Sequence, residues 1–393
     1  MSLEAFSGRA PSDIAGERRG VAPWALRLAF LFAVASVAVL LTAYHYSATG
    51  VWWLATAERM ATFEAAAPFQ YRVLTPVIVA LLHSATSVGI DPLFVLLEVV
   101  FWMLLVVVAE RALHVFGICR NELTRSLLAM TVLVPVAVHL ILPDLRILTL
   151  FADGGASWQR GEWHFTDLFR YVYDLPAAVL TLGLVVLLRR FVTTLDGRSL
   201  AGYLGLFALS ALNRETTVFL LPVFLVVCYR VLDHRTLVAA LLAQVLILFG
   251  VQTALHGLFA DNTNPHANVL DTEYENHLDF NLGLLGEPAY LVVFLLRFAG
   301  GLYIPALLLY RHLDPFLGRT LLAFAVPFLI FALVFGRVQE HRVTVELVPL
   351  LWLGAVQVIA AYRARQADRE VSPDADRPAF EAVNGGRGTR PAR

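Results

Sequence analysis

The feature that most limits what this chain can fold into is the recurrence of long apolar runs from Trp24 to Tyr362. A helix needs about 20 mostly apolar residues to cross a bilayer, and runs near that length follow one another through most of the sequence. Composition agrees. Of 393 residues, 58% are hydrophobic and 16% charged, with a mean hydropathy of +0.68, well outside the balance of soluble domains. The chain reads as all-α, a polytopic transmembrane helix bundle over residues 24–362, with a cytoplasmic N-terminal segment at 1–23 and a disordered cytoplasmic tail at 363–393. That tail is rich in Arg, Asp, Ala, Pro and Gly and poor in apolar residues.

All 30 basic residues are Arg, which together with the abundance of Ala, Val and Leu reads as the codon bias of a GC-rich genome, not as nucleic-acid binding. Cys119 and Cys228 have no metal-ligand spacing and support neither a disulfide framework nor a zinc site. The run from Ala25 to Ala43 lacks a small-residue cleavage site and is long enough to span, so it reads as a first transmembrane helix and not as a signal peptide.

Basic residues stay on the cytoplasmic side of a membrane, and Arg collects at Arg18 and Arg19, Arg111 to Arg125, Arg189 and Arg190, Arg230 to Arg235, Arg311 to Arg319, and from Arg363 onward. Spans near 175–190, 199–213, 217–232, 236–257, 289–310, 320–336 and 345–362 alternate sides with those clusters. Runs at 24–47, 73–89, 92–110 and 126–142 bring the total to eleven, an odd count that cannot leave both termini inside. Either the Pro76 to Ile90 run fails to cross, or residues 126–152 hold two passes. The expectation is ten to twelve helices, with both termini cytoplasmic.

This layout sends the segments 48–72, 143–174, 213–216, 258–288 and 337–346 to one outer face, and with them most of the acidic and aromatic residues outside the tails. In ALNRETTVFLLP, Arg214 and Glu215 sit between apolar runs, where a charge must face a cavity and pair or else lie at the interface. A capping role suits Asn213 and Glu215 at the start of the next helix but does not explain Arg214. In FTDLFRYVYDLPAAVL, Asp167, Tyr171 and Asp174 share a face if the segment is helical, Arg170 lies four residues before Asp174, and Asp174 with Pro176 suits a helix start. GRVQEHRVTVELVPLL packs Arg337, Glu340, His341, Arg342 and Glu346 into a turn and a helix start, with Arg342 and Glu346 spaced as an i, i+4 pair. In the first loop, Glu58, Arg59, Glu64 and Arg72 follow Trp52 and Trp53, and residues 51–66 are spaced for an interfacial amphipathic helix. Glu98 and Arg297 are the clearest charges within apolar runs and either serve function or pair structurally. The loop 261–288 carries Asp261, His266, Asp271, Glu273, Glu275 and His277 without tight ligand spacing, so a divalent cation finds only weak support there and no metal site is assigned.

Arginines that bind phosphate bidentately, carboxylates that activate a hydroxyl and aromatics that stack on sugars suit an anionic, lipid-linked substrate. The many spans, the charged first outer loop, the YVYDLP entry, the NRET hairpin and the late E-H-R-x-x-x-E-L-x-P segment resemble bacterial members of the GT-C superfamily of multi-pass membrane glycosyltransferases. The resemblance covers most of residues 24–362. It implies a GT-C-like bundle in the bacterial cell (inner) membrane, a polyprenyl-phosphate sugar donor, and a carboxylate base in the first outer loop. By position, Glu64 or Glu58 takes the base role, with Asp174 also a candidate catalytic residue. Arg214 and Arg342 hold the donor phosphate, and Arg72, Glu215, Arg297, Glu340 and Glu346 complete the substrate-binding set. The family's paired acidic residues are replaced here by Glu58 and Glu64, six apart. A transporter or flippase of a lipid-linked or polar solute competes with this reading, with Arg297, Glu98 and Arg214 lining a pathway, although no internal repeat is visible. A polysaccharide polymerase and a non-enzymatic membrane protein are the remaining alternatives.

Overall fold

The computed structural model describes residues 23–50, 55–141, 170–262, 277–336, 338 and 341–371. Its ordered elements are helices: α1 (Pro23–Ala48), α2 (Ala57–Ala61), α3 (Leu74–Thr86), α4 (Ile90–Val115), α5 (Glu122–Met130), α6 (Leu133–Leu140), α7 (Asp174–Thr194), α8 (Gly197–Asn213), α9 (Leu220–Cys228), α10 (His234–Leu258), α11 (His277–Gly286), α12 (Pro288–Arg297), α13 (Tyr303–Leu308), α14 (Pro315–Phe335) and α15 (Leu347–Val371). Short 3₁₀ turns occupy Phe69–Tyr71, Glu215–Phe219, Phe298–Gly301, Tyr310–His312 and His341–Thr344.

Among the described residues, seven helical stretches are long and apolar enough to cross a membrane: α1, α4, α5 with α6, α7, α10, α14 and α15. The bent pair Leu278–Gly286 and Tyr290–Leu296 makes an eighth if it is one span. The remaining apolar runs fall short for identifiable reasons. α3 has 13 residues, about 20 Å at 1.5 Å per residue, because Ser87 leaves the helix at φ 59 and Gly89 starts the next. α8 has 17 residues, and α9 is preceded by a 3₁₀ turn. The run expected at 289–310 is interrupted at Phe298–Gly301, where Ala299 and Gly300 take φ 49 and 61. Of the first-loop helix expected over 51–66, the described residues form only Ala57–Ala61, closed by Phe63 at φ 62; residues 51–54, with Trp52 and Trp53, lie outside them. α15 runs on past Arg363 to Val371, into the segment read as tail.

α7 is the central helix, 78% of its best span window being buried against 17% for α1. It packs against α8 and α4, with α15 on a further side. The core between these helices is aromatic, including Trp102, Tyr203, Phe207, Phe224, Phe328 and Trp352. The outward faces are apolar too: Leu242, Leu246 and Phe249 of α10 are 55%, 68% and 69% exposed, one stripe at helical spacing where a bilayer supplies the solvent. Some buried polar groups inside are paired, Tyr203 Oη donating to Gln244 Oε1 at 3.0 Å between α8 and α10.

The bundle has two chemically different ends. At one, Arg27 meets Glu110 and Glu122 at 3.3 and 2.9 Å, Arg189 meets Asp314 at 3.1 Å, and Asp196, Asp233 and Asp314 cap the starts of α8, α10 and α14. The starts of α7, α9 and α15 lie at the other end. Both α1 and α15 have their outer termini at the first end, so the chain enters and leaves the described bundle opposite the second.

Candidate functional site

The second end gathers three arginines and three carboxylates from four stretches of chain. Asp174 opens α7, Arg214 follows α8 in extended conformation at φ −157, Glu215 and Thr216 form the turn into α9, Arg72 precedes α3, and Arg342 and Glu346 precede α15. Each lies where a helix begins or ends and backbone polarity is already exposed. The carboxylates at the heads of α7 and α15 also face the positive ends of helix dipoles.

Arg214, 3% exposed, is flanked by two acids: its Nη1 lies 3.6 Å from Asp174 Oδ1 and 3.7 Å from Glu346 Oε1. Arg342 Nη1 lies 3.7 Å from Asp174 Oδ2. These are contacts between charges and are too long for hydrogen bonds. Arg72, by contrast, is tightly bound to Glu215, at 2.7 Å from Nη2 and 3.4 Å from Nε. Thr216 Oγ1 donates to Glu346 Oε1 at 2.6 Å. An aromatic platform joins the arginines. The Arg342 guanidinium lies 3.7 Å from the Tyr171 ring centre and that of Arg72 4.3 Å from the Tyr173 ring, while Phe69 stacks on Tyr171 at 5.1 Å and 4°. Such cation–π contacts hold guanidinium planes in place without using their N–H donors.

Burial pushes the Tyr173 hydroxyl up to about 12, against the pull of Arg72 and Arg342. It also pushes Glu346 above the usual carboxylate range, against Arg214 and the Thr216 hydrogen bond. The cluster is not closed on itself. Arg214 Nε and Nη1, Asp174 Oδ1, Glu346 Oε2, Asn213 Oδ1 and Tyr173 Oη are all buried without a hydrogen-bond partner. Buried polar groups are almost always satisfied, so donors and acceptors left over in one place suit a molecule offering both.

The structure therefore brings together Asp174, Arg214, Arg342 and Glu346, and beside them Arg72 and Glu215. Several local pairings expected from spacing do not form. Arg342 reaches Asp174 and Tyr171 while Glu346 takes Thr216, because the 3₁₀ turn His341–Thr344 breaks the helical i, i+4 register. Asn213 does not cap the next helix: it ends α8 and donates to the Tyr173 carbonyl at 3.0 Å. Arg170 lies over the Tyr46 ring at 3.4 Å instead of pairing with Asp174. Glu58 and Glu64 stand exposed, because Met60 and Ala61 take the inner face of α2 and Phe63 turns the chain. Neither shares the burial of the arginine cluster. Glu98 pairs with His45 at 2.7 Å. Glu340 lies outside the described residues, as does the side chain of Arg297. Among the described residues no group of three or more His, Cys, Asp and Glu is placed to hold a metal ion; residues 263–276 of the acidic loop lie outside them.

Sequence reasoning missed His45, Thr216 and Tyr173. A His between two tyrosines at the end of an apolar run, AYHYSATG, was the available signal for the first. The second and third stand beside residues already singled out.

Fold and site together define an all-helical, multi-pass membrane protein with a polar centre built where helix ends meet. Comparison with protein-family models, curated proteins and solved structures finds no match to the chain.

Proposed function

We propose that the chain is an integral membrane glycosyltransferase that uses a polyprenyl-phosphate-linked sugar donor, with its active site on the outer face of a bacterial cell membrane and both termini in the cytoplasm. One observation carries this reading: around Arg214, two guanidinium nitrogens and two carboxylate oxygens lie buried together in ion-pair contact but without hydrogen bonds. A phosphosugar complements both. Its phosphate oxygens accept from Arg214, and its hydroxyls donate to Asp174 and Glu346. A plain anion satisfies only the first half, and a cation only the second. A cluster at the ends of spans lies at the depth of a lipid headgroup.

The interrupted helix at Phe298–Gly301 favours a second reading, a transporter or flippase for the same kind of solute, since broken helices line transport sites. The two separate in one assay. Purified protein in lipid nanodiscs is given radiolabelled polyprenyl-phosphate sugars with candidate acceptors, and the transferase releases lipid phosphate and labels the acceptor. Binding without release in nanodiscs, with movement of label across proteoliposomes, supports transport instead.

A further inference from the structure

Resting on the transferase reading, we propose that His45, held by Glu98, is the proton-accepting residue of the site, and that the pocket beside it takes the acceptor's hydroxyl group. His45 lies near the end of α1, 5% exposed, with Nδ1 at 2.7 Å from Glu98 Oε1 on α4. A carboxylate at that distance accepts the Nδ1 proton, which leaves the lone pair on Nε2 free to take another. The pair lines a small cavity, with room for about one water-sized group such as a single hydroxyl, that also includes Thr75, Phe101, Tyr171 and Asp174.

Two features tie this pocket to the arginine cluster. Asp174 belongs to both, lining the cavity while it pairs with Arg214 and Arg342. The Thr75 hydroxyl on α3 is buried in the same cavity wall and has no hydrogen-bond partner, a further polar group with nothing in the protein to bind. Asp174 is occupied by its ion pairs with Arg214 and Arg342, and Glu58 and Glu64 are exposed. The groups around His45 are Glu98 and Asp91 of α4, Asp174 at the head of α7, Arg170 on the ring of Tyr46, and Tyr46 beside it on α1. α6 contributes Leu140 to the pocket, while its His139 meets Thr344.

In the transfer step the acceptor oxygen bonds to the anomeric carbon as that carbon's bond to the phosphate oxygen breaks. The lipid phosphate leaves with the electron pair, facing Arg214. The acceptor's proton passes to His45 Nε2, where Glu98 stabilises the imidazolium until water removes the proton. Glu98 is a positioning residue in this scheme.

Wild type, His45→Gln and Glu98→Gln in nanodiscs test it, assayed across pH for transfer and in parallel for binding of a fluorescent polyprenyl phosphate. The glutamine at position 45 is expected to leave lipid-phosphate binding unchanged, to lower kcat roughly 10²–10⁴-fold, and to remove the acid limb of the rate profile. Glu98→Gln, which keeps a partner for Nδ1, is expected to lower kcat by a smaller factor at unchanged KM. Wild-type kcat with an intact acid limb in His45→Gln would overturn the proton role alone. Should that variant fail to fold, an unchanged kcat in Glu98→Gln overturns it. A wild type that transfers from no donor rejects the transferase reading itself, and the proton role with it.

Discussion

Glu346 and Thr216 show how finely single residues balance this site. The 2.6 Å bond from Thr216 reaches a buried carboxyl, and Thr216→Val keeps the side chain's shape while removing it. Thermal unfolding in detergent is expected to show a loss of about 0.5–1.5 kcal/mol; an unchanged midpoint would mean that the hydroxyl contributes nothing. Glu346, raised by burial, gives a signed pH dependence. The folded state holds this proton more tightly than the unfolded chain, so its contribution to stability is complete below the ordinary Glu range and is lost as pH rises through the raised value. Wild-type stability is thus expected to fall over that window and Glu346→Gln to lack that part of the slope, read as unfolding midpoints from pH 4 to 9. Identical slopes would contradict the assignment. The sequence made Arg214 legible, because a cation between apolar runs needs partners, and made Asp174 and the segment before α15 legible as those partners. It did not show which oxygen meets which guanidinium. Pairings by i, i+4 spacing presume helix, and the chain at Arg342 and Tyr171 turns before its helix starts.

Between elements, the contacts are mainly apolar and the polar exceptions are specific. Tyr203 on α8 and Gln244 on α10 are both completely buried and bonded to each other. Tyr203→Phe removes the donor and is expected to cost about 0.6 kcal/mol and at most about 1.7, the range for hydrogen bonds between membrane helices. A gain in thermal stability would show that the pair costs more to bury than it returns. The long spans were readable because 20 apolar residues have few alternatives, and α1, α4, α7, α10, α14 and α15 fall close to their expected places. The Pro76 to Ile90 run was readable as one too short to cross, as α3 is, but the points where helices end or break were not. α3 ends at a left-handed Ser87, a residue type that does not announce it, and the break at Ala299 and Gly300 lies against Pro135 of α6, a tertiary contact that hydropathy does not register.

The whole molecule separates its charges by end. Ion-paired arginines and capping aspartates collect at the end where the chain enters and leaves the described bundle, and the buried arginine–carboxylate cluster occupies the other. If the first end is cytoplasmic, a membrane-impermeant maleimide applied to intact cells should label Asp261→Cys, exposed after α10, and leave the native Cys119 after α4 unlabelled; the reverse pattern would invert the topology. The most direct test of the central claim is the affinity of wild type and Arg214→Ala, in nanodiscs, for a fluorescent polyprenyl phosphate. Loss of charge-assisted bonds from a buried guanidinium is worth about 1.5–3 kcal/mol, so an affinity roughly 10- to 150-fold weaker is expected with the helical fold retained. Equal affinities, or no binding by wild type, would contradict a phosphate site at Arg214.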